Sequence, residues 1–201
     1  FENIKTPVVL KTEEFSFEME FINGKNFIQF AEESNISDIN TQIDNILNYL
    51  NHIKYRKIQP QISFSESVQM KLNKLDTANK YPEIYKFIAE SNFAKKLNLE
   101  STYCHGDLSL SNIIFKENEL FFIDFLDPFF DSYYLDIVKL RQDVLHHWIF
   151  QINNYSSIKC EIITKKINDA LSFEFQKEIE SVEFQILEIM NFLRIEPYTK
   201  E

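Results

Sequence analysis

Cysteine is scarce in this chain, and long apolar runs are missing. The two cysteines, Cys104 and Cys160, are far apart and form no C-x-x-C pair. A disulfide framework is therefore excluded, and a reducing, cytoplasmic environment is expected. No apolar run reaches the roughly 18 residues of a membrane-spanning helix, and the segment from Phe1 to Phe15 lacks the apolar stretch of a secretory signal. The sequence thus predicts a soluble protein with no membrane partner.

Positive charge is also in short supply. Lysine and arginine total 21 against 31 aspartates and glutamates, which gives a formal charge of −10. Such a charge disfavours nucleic acids and anionic membrane surfaces as partners, and a neutral or cationic small molecule fits better. The simpler interpretation, that the charge serves only solubility, stays open.

Glycine occurs only at Gly24 and Gly106, whereas phenylalanine occurs 20 times and tyrosine nine times. The chain is 44% hydrophobic, so its 201 residues can bury one substantial core. Because aromatic rings bury large areas with few rotatable bonds, core packing is their simplest role.

The N-terminal quarter changes from strand to helix patterns. Residues Pro7 to Leu10 and Phe15 to Ile22 are rich in β-branched and aromatic residues, which predicts two antiparallel strands, the second half-buried. Asn23 and Gly24, which tolerate positive φ, end this pattern. Isoleucines and leucines then recur at helical spacing from Ile36 to Ile53, which predicts a helix with Ser37 as its N-cap.

The rest of the chain is mainly helical in pattern, with one interruption. Pro82 is placed to open a helix, and apolar residues recur at helical spacing beyond Asp136. Residues 112–116 and 119–125 form two short apolar runs around Glu117 and Asn118, which predicts a tight hairpin. The predicted fold class is therefore α+β, with a small β segment before a mainly helical body.

Three polar residues around this hairpin point to phosphoryl transfer. Asp107 and Asn112 lie on the loop that enters the hairpin, and Asp124 lies at its exit, so the hairpin brings Asn112 and Asp124 together. Phosphoryl transfer needs a carboxylate to orient or deprotonate the attacking hydroxyl and hard oxygen ligands for Mg²⁺. Asp107 is the candidate base, and Asn112 and Asp124 are the candidate metal ligands.

The same residues resemble a known family. The run from His105 to Asn112 matches the protein-kinase pattern H-R-D-L-x-x-x-N except for Gly106 in place of Arg, and Ile123-Asp124-Phe125 follows it. With Gly106, this segment resembles the aminoglycoside phosphotransferase and choline kinase-like family, small-molecule relatives of protein kinases. Asp136-Ile137-Val138 resembles the family's following D-L-A. The resemblance covers roughly residues 7 to 145 and is most specific over 103–138.

The resemblance implies a protein-kinase-like fold: residues 1–24 would be a truncated N-terminal β segment with a hinge, and residues 25–201 a helical catalytic lobe. It implies an enzyme that moves the γ-phosphate of ATP, or of GTP, to a hydroxyl of a sugar, amino sugar or amino alcohol with Mg²⁺. It also implies nucleotide-binding residues and supports of the catalytic loop. The nucleotide would meet the backbone of Glu20, Phe21 and Ile22 and the side chains of Ile114 and Ile123, while His105 and Asp136 would support the loop.

Several alternatives stay open. Asp127 and Asp131 either extend the acidic site toward a cationic substrate or cap turns beside Pro128. His146 and His147 are expected to pack rather than bind a metal with Asp143, because adjacent residues on a helix do not share a face.

The family's phosphate-covering loop and phosphate-binding lysine find no counterpart before residue 20, where Lys5 and Lys11 precede no helix. The chain is therefore either part of a longer kinase or a reduced protein, and a catalytically silent binding or regulatory module is the alternative function. Protein kinase activity is disfavoured by Gly106, by Leu126 at the D-F-G glycine position and by the lack of an A-P-E segment. The substrate's identity and the oligomeric state stay open.

Overall fold

A computed structural model describes residues 3–95 and 97–196, which form two small sheets and ten α-helices. Strands β1 (Ile4–Lys5), β4 (Ile113–Lys116) and β5 (Glu119–Phe122) make one sheet in the order β1-β5-β4. β1 runs parallel to β5, and β4 runs antiparallel to it. Strands β2 (Val9–Thr12) and β3 (Phe17–Met19) form a separate antiparallel hairpin.

The helices fall on both sides of the β4–β5 hairpin in the sequence. Five precede it: α1 (Phe27–Glu33), α2 (Ile36–Lys54), α3 (Phe64–Lys74), α4 (Thr77–Lys80) and α5 (Pro82–Lys95). Five follow it: α6 (Tyr133–Val144), α7 (Trp148–Asn153), α8 (Ile158–Glu174), α9 (Gln176–Ile179) and α10 (Val182–Ile195). No helix in the described ranges combines the length and apolarity needed to cross a bilayer.

The core lies where α2, α6, α8 and α10 pack together. α2 contributes one apolar stripe with helical spacing, made of Ile39, Ile43, Ile46, Leu50 and Ile53. α6 is buried on all sides, because every one of its residues except Tyr134 is buried. This central helix therefore carries polar side chains in the interior, where each needs a partner.

Two local predictions are wrong. The N-cap of α2 is Asn35 rather than Ser37, because the Asn35 side chain accepts a hydrogen bond from the Asp38 N–H at 3.0 Å. The strand expected to be half-buried is exposed, with Phe15 at 93% and Phe17 at 63% accessibility. The alternation of apolar and polar residues predicted a strand correctly, but no element in the described residues covers its apolar face.

Gly24 is required for a steric reason and not for the positive φ that its sequence context suggested. Its φ is not in the left-handed region. A Cβ at this position would lie 2.5 Å from Ile114 Cγ2 and 3.0 Å from the Phe115 carbonyl oxygen. Gly24 is needed because the chain leaving the β2–β3 hairpin passes directly over β4, where the Lys25 and Phe115 backbones exchange two hydrogen bonds of 2.8 Å.

Candidate active site

The β4–β5 hairpin brings the predicted metal ligands to the same end of the sheet. Asn112 ends a short 3₁₀ turn just before β4, and its carbonyl oxygen accepts a hydrogen bond from Ile123 N–H at 3.1 Å. Asp124 follows Ile123 directly. It is exposed and has a φ of 58°, a left-handed conformation that Asp and Asn adopt more readily than most residues.

The side-chain amide of Asn112 is oriented by Asp107. Its Nδ2 donates to the Asp107 carbonyl oxygen at 2.8 Å, with Asp107 Oδ2 at 3.4 Å. Because the nitrogen is used in this way, Oδ1 is turned away from that carbonyl and is available to a hard cation. No cluster of three or more His, Cys, Asp or Glu side chains in the described part of the chain has metal-binding geometry. One carboxylate and one amide still fit Mg²⁺, whose other ligands are commonly phosphate oxygens and water.

Gly106 is required by the conformation of the loop. It has a φ of +83°, and a Cβ there would lie 2.2 Å from the Leu126 carbonyl oxygen. Residues 105–107 therefore pass directly against the segment that follows Asp124. This close approach gives a physical reason for glycine where the protein-kinase pattern has arginine.

His105 is fully buried and holds the loop together from inside. Its backbone carbonyl accepts from Leu126 N–H at 3.1 Å, and its Nδ1 accepts from Asp107 N–H at 3.3 Å. Its ring stacks on Phe125 with centroids 4.1 Å apart. Burial lowers the pKa of His105 below its ordinary value, against the opposing effect of the Ile123 backbone. His105 is thus a neutral positioning side chain that keeps the loop and the Asp124 segment together.

Helix α6 holds the loop through three side chains spaced three and four residues apart. Asp136, fully buried, accepts from His105 N–H at 2.8 Å and from Gly106 N–H at 2.9 Å. One turn later Lys139 contacts the loop, and two turns later Asp143 accepts from Leu110 N–H at 2.6 Å. One face of one helix therefore fixes the loop along its length.

Burial dominates the electrostatics of the two α6 carboxyls. It raises the pKa of Asp136 to about 7, although the hydrogen bonds from His105 and Gly106 act in the opposite direction. It raises the pKa of Asp143 to about 7 in the same way, against the hydrogen bond from Leu110. Asp143 Oδ1 has no partner within hydrogen-bond geometry among the described residues, although the nearby Ile149 backbone also acts to lower the pKa of this carboxyl.

Asp107 itself lies between two cations. Lys139 Nζ is 2.7 Å from Asp107 Oδ1, and the Lys139 side chain is only 6% exposed. Arg194, near the end of α10, places a guanidinium nitrogen 3.4 Å from the same oxygen. The cations thus occupy Oδ1, and Oδ2 is the oxygen available to another group. A cavity of about 400 Å³ opens at this point, lined by Asp107, Asn112, Lys139, Trp148 and Arg194 among others.

The two acidic residues considered for substrate binding have different surroundings in the structure. Asp127 lines a smaller cavity of about 110 Å³ that adjoins the first and shares Lys139 and Arg194 with it. Asp131 supports the segment before the loop, because its carbonyl accepts from Thr102 N–H at 3.1 Å. Its carboxylate accepts from the Cys104 thiol at 3.9 Å, and burial raises the pKa of both groups. Cys104 is therefore not an activated nucleophile.

Of the residues considered for nucleotide binding, Ile114 and Ile123 share one face of the β4–β5 hairpin. Ile114 and Ile123 are both half-buried on the face opposite the core residues Ile113 and Phe122. Along residues 20–22, Glu20 N–H donates to the Val8 carbonyl at 2.8 Å. In the described residues the Phe21 backbone N–H and carbonyl make no hydrogen bond, so both are available to a ligand.

The adjacent histidines after α6 are not arranged as metal ligands. His146 packs edge-on against Phe192 at 4.6 Å, and His147 stacks on Phe150 at 5.6 Å. The carboxylate considered with them, Asp143, points instead to the loop from His105 to Asn112, where it accepts from Leu110 N–H. Aromatic packing therefore accounts for both rings.

Comparison with solved structures identifies the fold. The ADP-bound crystal structure of the aminoglycoside phosphotransferase APH(2'')-Ib matches with a TM-score of 0.53, over 95% of this chain and 75% of that one. The fold is protein-kinase-like. At 16% identity the match establishes this α+β kinase-like fold and nothing finer, so membership of the aminoglycoside phosphotransferase and choline kinase-like family stays a prediction.

A sequence-family comparison covers the centre of the same kinase-like fold. Residues 61–144 match the RIO domain. This span runs from just before α3 to the end of α6 and contains the loop, the β4–β5 hairpin and Asp136. None of the curated proteins matches the chain.

Sequence reasoning missed Lys139 and Arg194 as neighbours of Asp107. A signal for Lys139 was present, because Asp136, Lys139 and Asp143 are charged residues at positions i, i+3 and i+7 of an otherwise apolar helix face. Arg194 had no such signal, since it lies 87 residues beyond Asp107 and only tertiary packing brings it close.

Proposed function

We propose that the protein transfers the γ-phosphate of ATP, or of GTP, to a hydroxyl of a small metabolite such as a sugar, an amino sugar or an amino alcohol. The observation that carries this proposal is the convergence of Asp107, Asn112 and Asp124 at one end of the β4–β5 hairpin in a kinase-like fold. The cavity beside Asp107 has the volume of a small-molecule site.

Asp107 is proposed as the base. With Oδ1 bound by Lys139 and Arg194, Oδ2 is the atom that accepts the hydroxyl proton of the acceptor. Helix α6 fixes the loop through Asp136, Lys139 and Asp143. The Asp107 carboxylate is therefore already in position before the acceptor binds, and the loop does not have to become ordered during the reaction.

Asn112 and Asp124 are proposed to hold Mg²⁺ through the amide oxygen and the carboxylate. Held there, Mg²⁺ would supply positive charge to the phosphate oxygens. The free Phe21 peptide groups are proposed to meet the purine, with Ile114 and Ile123 as the apolar floor. Backbone groups supply this contact, so it favours neither ATP nor GTP.

Two other functions have support. The RIO-domain match favours a protein hydroxyl as the acceptor, with the same roles for Asp107 and Asp124. A catalytically silent kinase-like module is the other candidate, because the family's phosphate-binding lysine finds no counterpart before residue 20 of the sequence given. Both predict that small metabolites are not phosphorylated.

The test is ATP consumption by the full-length protein with a panel of sugars, amino sugars and amino alcohols. Asp107→Asn keeps an acceptor for Lys139 but not the base, so we expect turnover to fall at least about 1,000-fold with the fold intact by circular dichroism. Asp44→Asn, exposed on α2, is the matched control and should keep full turnover. Wild-type turnover by Asp107→Asn would contradict the proposal, and phosphorylation of protein alone would support the RIO-type alternative.

A further inference from the structure

The cavity beside Asp107 has the dimensions of an acceptor site and a distinctive charge. Its volume is about 400 Å³, and its charged lining residues are Asp107, Lys139 and Arg194. Ser109 and Gln142 are among the residues that add neutral hydrogen-bonding groups. The charged groups thus comprise two cations and one anion.

Asp107 contacts both cations but supplies one negative charge against their two positive charges. Lys139 is almost fully buried, bound to Asp107 at 2.7 Å and near Gln142 Oε1 at 3.4 Å. Arg194 reaches Asp107 only at 3.4 Å, and its side chain is 36% exposed. A guanidinium has five N–H donors in a planar fork that matches a carboxylate or phosphate. The unmatched positive charge and the spare donors of this cavity therefore belong to Arg194.

Further cations surround Arg194. It lines the adjoining cavity of about 110 Å³ with Lys71, and another of about 130 Å³ with Lys74, Lys80 and one carboxylate, Glu196. Burial, followed by the charge of Arg194, lowers the pKa of Lys71, as expected where positive groups lie close together. The whole chain has a formal charge of −10, so the positive side chains around Arg194 are a local exception.

We infer that the acceptor is an anionic metabolite whose phosphate or carboxylate group binds Arg194, while its hydroxyl reaches Asp107. The inference rests on the proposed phosphotransferase function, since it names the acceptor of that site. It opposes the expectation of a cationic substrate that the overall charge suggested, and it narrows the proposed acceptors to sugars or alcohols that carry an anionic group, in place of unmodified amino sugars and amino alcohols. A cationic acceptor would face Lys71, Lys139 and Arg194, with Asp127 as the one further carboxylate lining the 400 Å³ and 110 Å³ cavities.

The single tryptophan of the chain reports on the site directly, because Trp148 lines the same cavity as Arg194. We propose titrating the full-length protein with inorganic phosphate and glycerol 3-phosphate, and separately with choline and glucosamine, without Mg²⁺ or nucleotide. Both anions should change the Trp148 fluorescence saturably, and the two cations should not. Arg194→Gln should weaken anion binding at least about tenfold, because it removes a charged bidentate donor.

Two variants make this test specific. Arg194→Lys keeps the charge without the planar fork and should retain part of the affinity. Arg56→Gln is the matched control, because Arg56 binds His52 on α2, and it should leave the titration unchanged. The inference is overturned if neither anion gives a saturable response, if Arg194→Gln binds them as tightly as the wild type, or if choline or glucosamine binds instead.

The titration also separates this inference from the proposed function. If the protein binds anions through Arg194 but never consumes ATP, the anion site is supported and the phosphotransferase function is refuted. If the wild type and Arg194→Gln phosphorylate a metabolite equally, and anions do not bind, only the anion site is refuted.

Discussion

In the loop from His105 to Asn112, backbone groups are bound by buried side chains of α6, whereas the β2–β3 hairpin exposes apolar side chains to solvent. The loop is fixed by Asp136, Lys139 and Asp143, all of them buried. The hairpin leaves Phe15 93% and Phe17 63% exposed. Buried, satisfied polar contacts hold one geometry, while exposed apolar groups contribute little to position. The proposed chemistry therefore depends on α6, the helix beneath the loop.

The two glycines allow the largest test of the difference between these regions, because Gly106 lies in the loop and Gly24 follows the β2–β3 hairpin. Gly106→Ala should destabilise the protein by about 3 kcal/mol or more, because it adds left-handed strain and a clash with a backbone carbonyl. Gly24→Ala should cost less, about 2 kcal/mol, because its Cβ would lie 2.5 Å from Ile114 Cγ2 and 3.0 Å from the Phe115 carbonyl oxygen but adds no left-handed strain. Urea unfolding of both variants measures the difference.

Circular dichroism on each variant controls for a change in secondary structure. If Gly24→Ala were as costly as Gly106→Ala, the passage from the hairpin over β4 would be as rigid as the catalytic loop. The comparison between the two regions would then fail.

A second, smaller effect concerns the buried carboxyl of Asp143. Folded Asp143 holds its proton up to a pKa of about 7, while the unfolded chain releases it near about pH 4. Its stabilising contribution is therefore fully present below about pH 4 and is lost as the pH rises to about 7. Asp143→Asn removes this titration, so its stability relative to the wild type should rise steadily as the pH increases from about 4 to about 8.

Urea unfolding at several pH values measures this change, with Asp169→Asn as an exposed control for the amide substitution. The side-chain amide oxygen introduced by Asp143→Asn can still accept from Leu110 N–H, so the loop contact is kept in the variant. A pH-independent difference between Asp143→Asn and the wild type would show that the carboxyl is ionised in both states.

Much of the site could be predicted from local sequence. The loop, the turn at Glu117 and Asn118, and the pairing of β4 with β5 follow from turn chemistry and strand patterns. These features bring Asn112 and Asp124 to one end of the hairpin. The mainly helical body also follows from periodicity, and the kinase-like fold is confirmed by the structural match.

The failures have a common physical origin in tertiary packing. Burial of the second strand was inferred from its alternation, which shows that a strand has two different faces but not whether anything covers one of them. Arg194 comes from α10, too far along the chain for any local pattern to connect it with the loop, whereas Lys139 had one signal, its position on the same face of α6 as Asp136 and Asp143. The expectation of a neutral or cationic substrate, based on net charge, stays a prediction, and net charge cannot report the local pairing of Lys139 and Arg194 around Asp107.

The central claim is that the end of the β4–β5 hairpin is a metal–nucleotide site. Titration calorimetry of the full-length protein with ATP, with and without Mg²⁺, tests it most directly, and Asp124→Ala supplies the comparison. We predict binding that requires Mg²⁺ and weakens at least about tenfold in Asp124→Ala, because the variant loses a charged ligand of the ion. Binding that is equal in both proteins, or no binding by the folded wild type, would contradict the account.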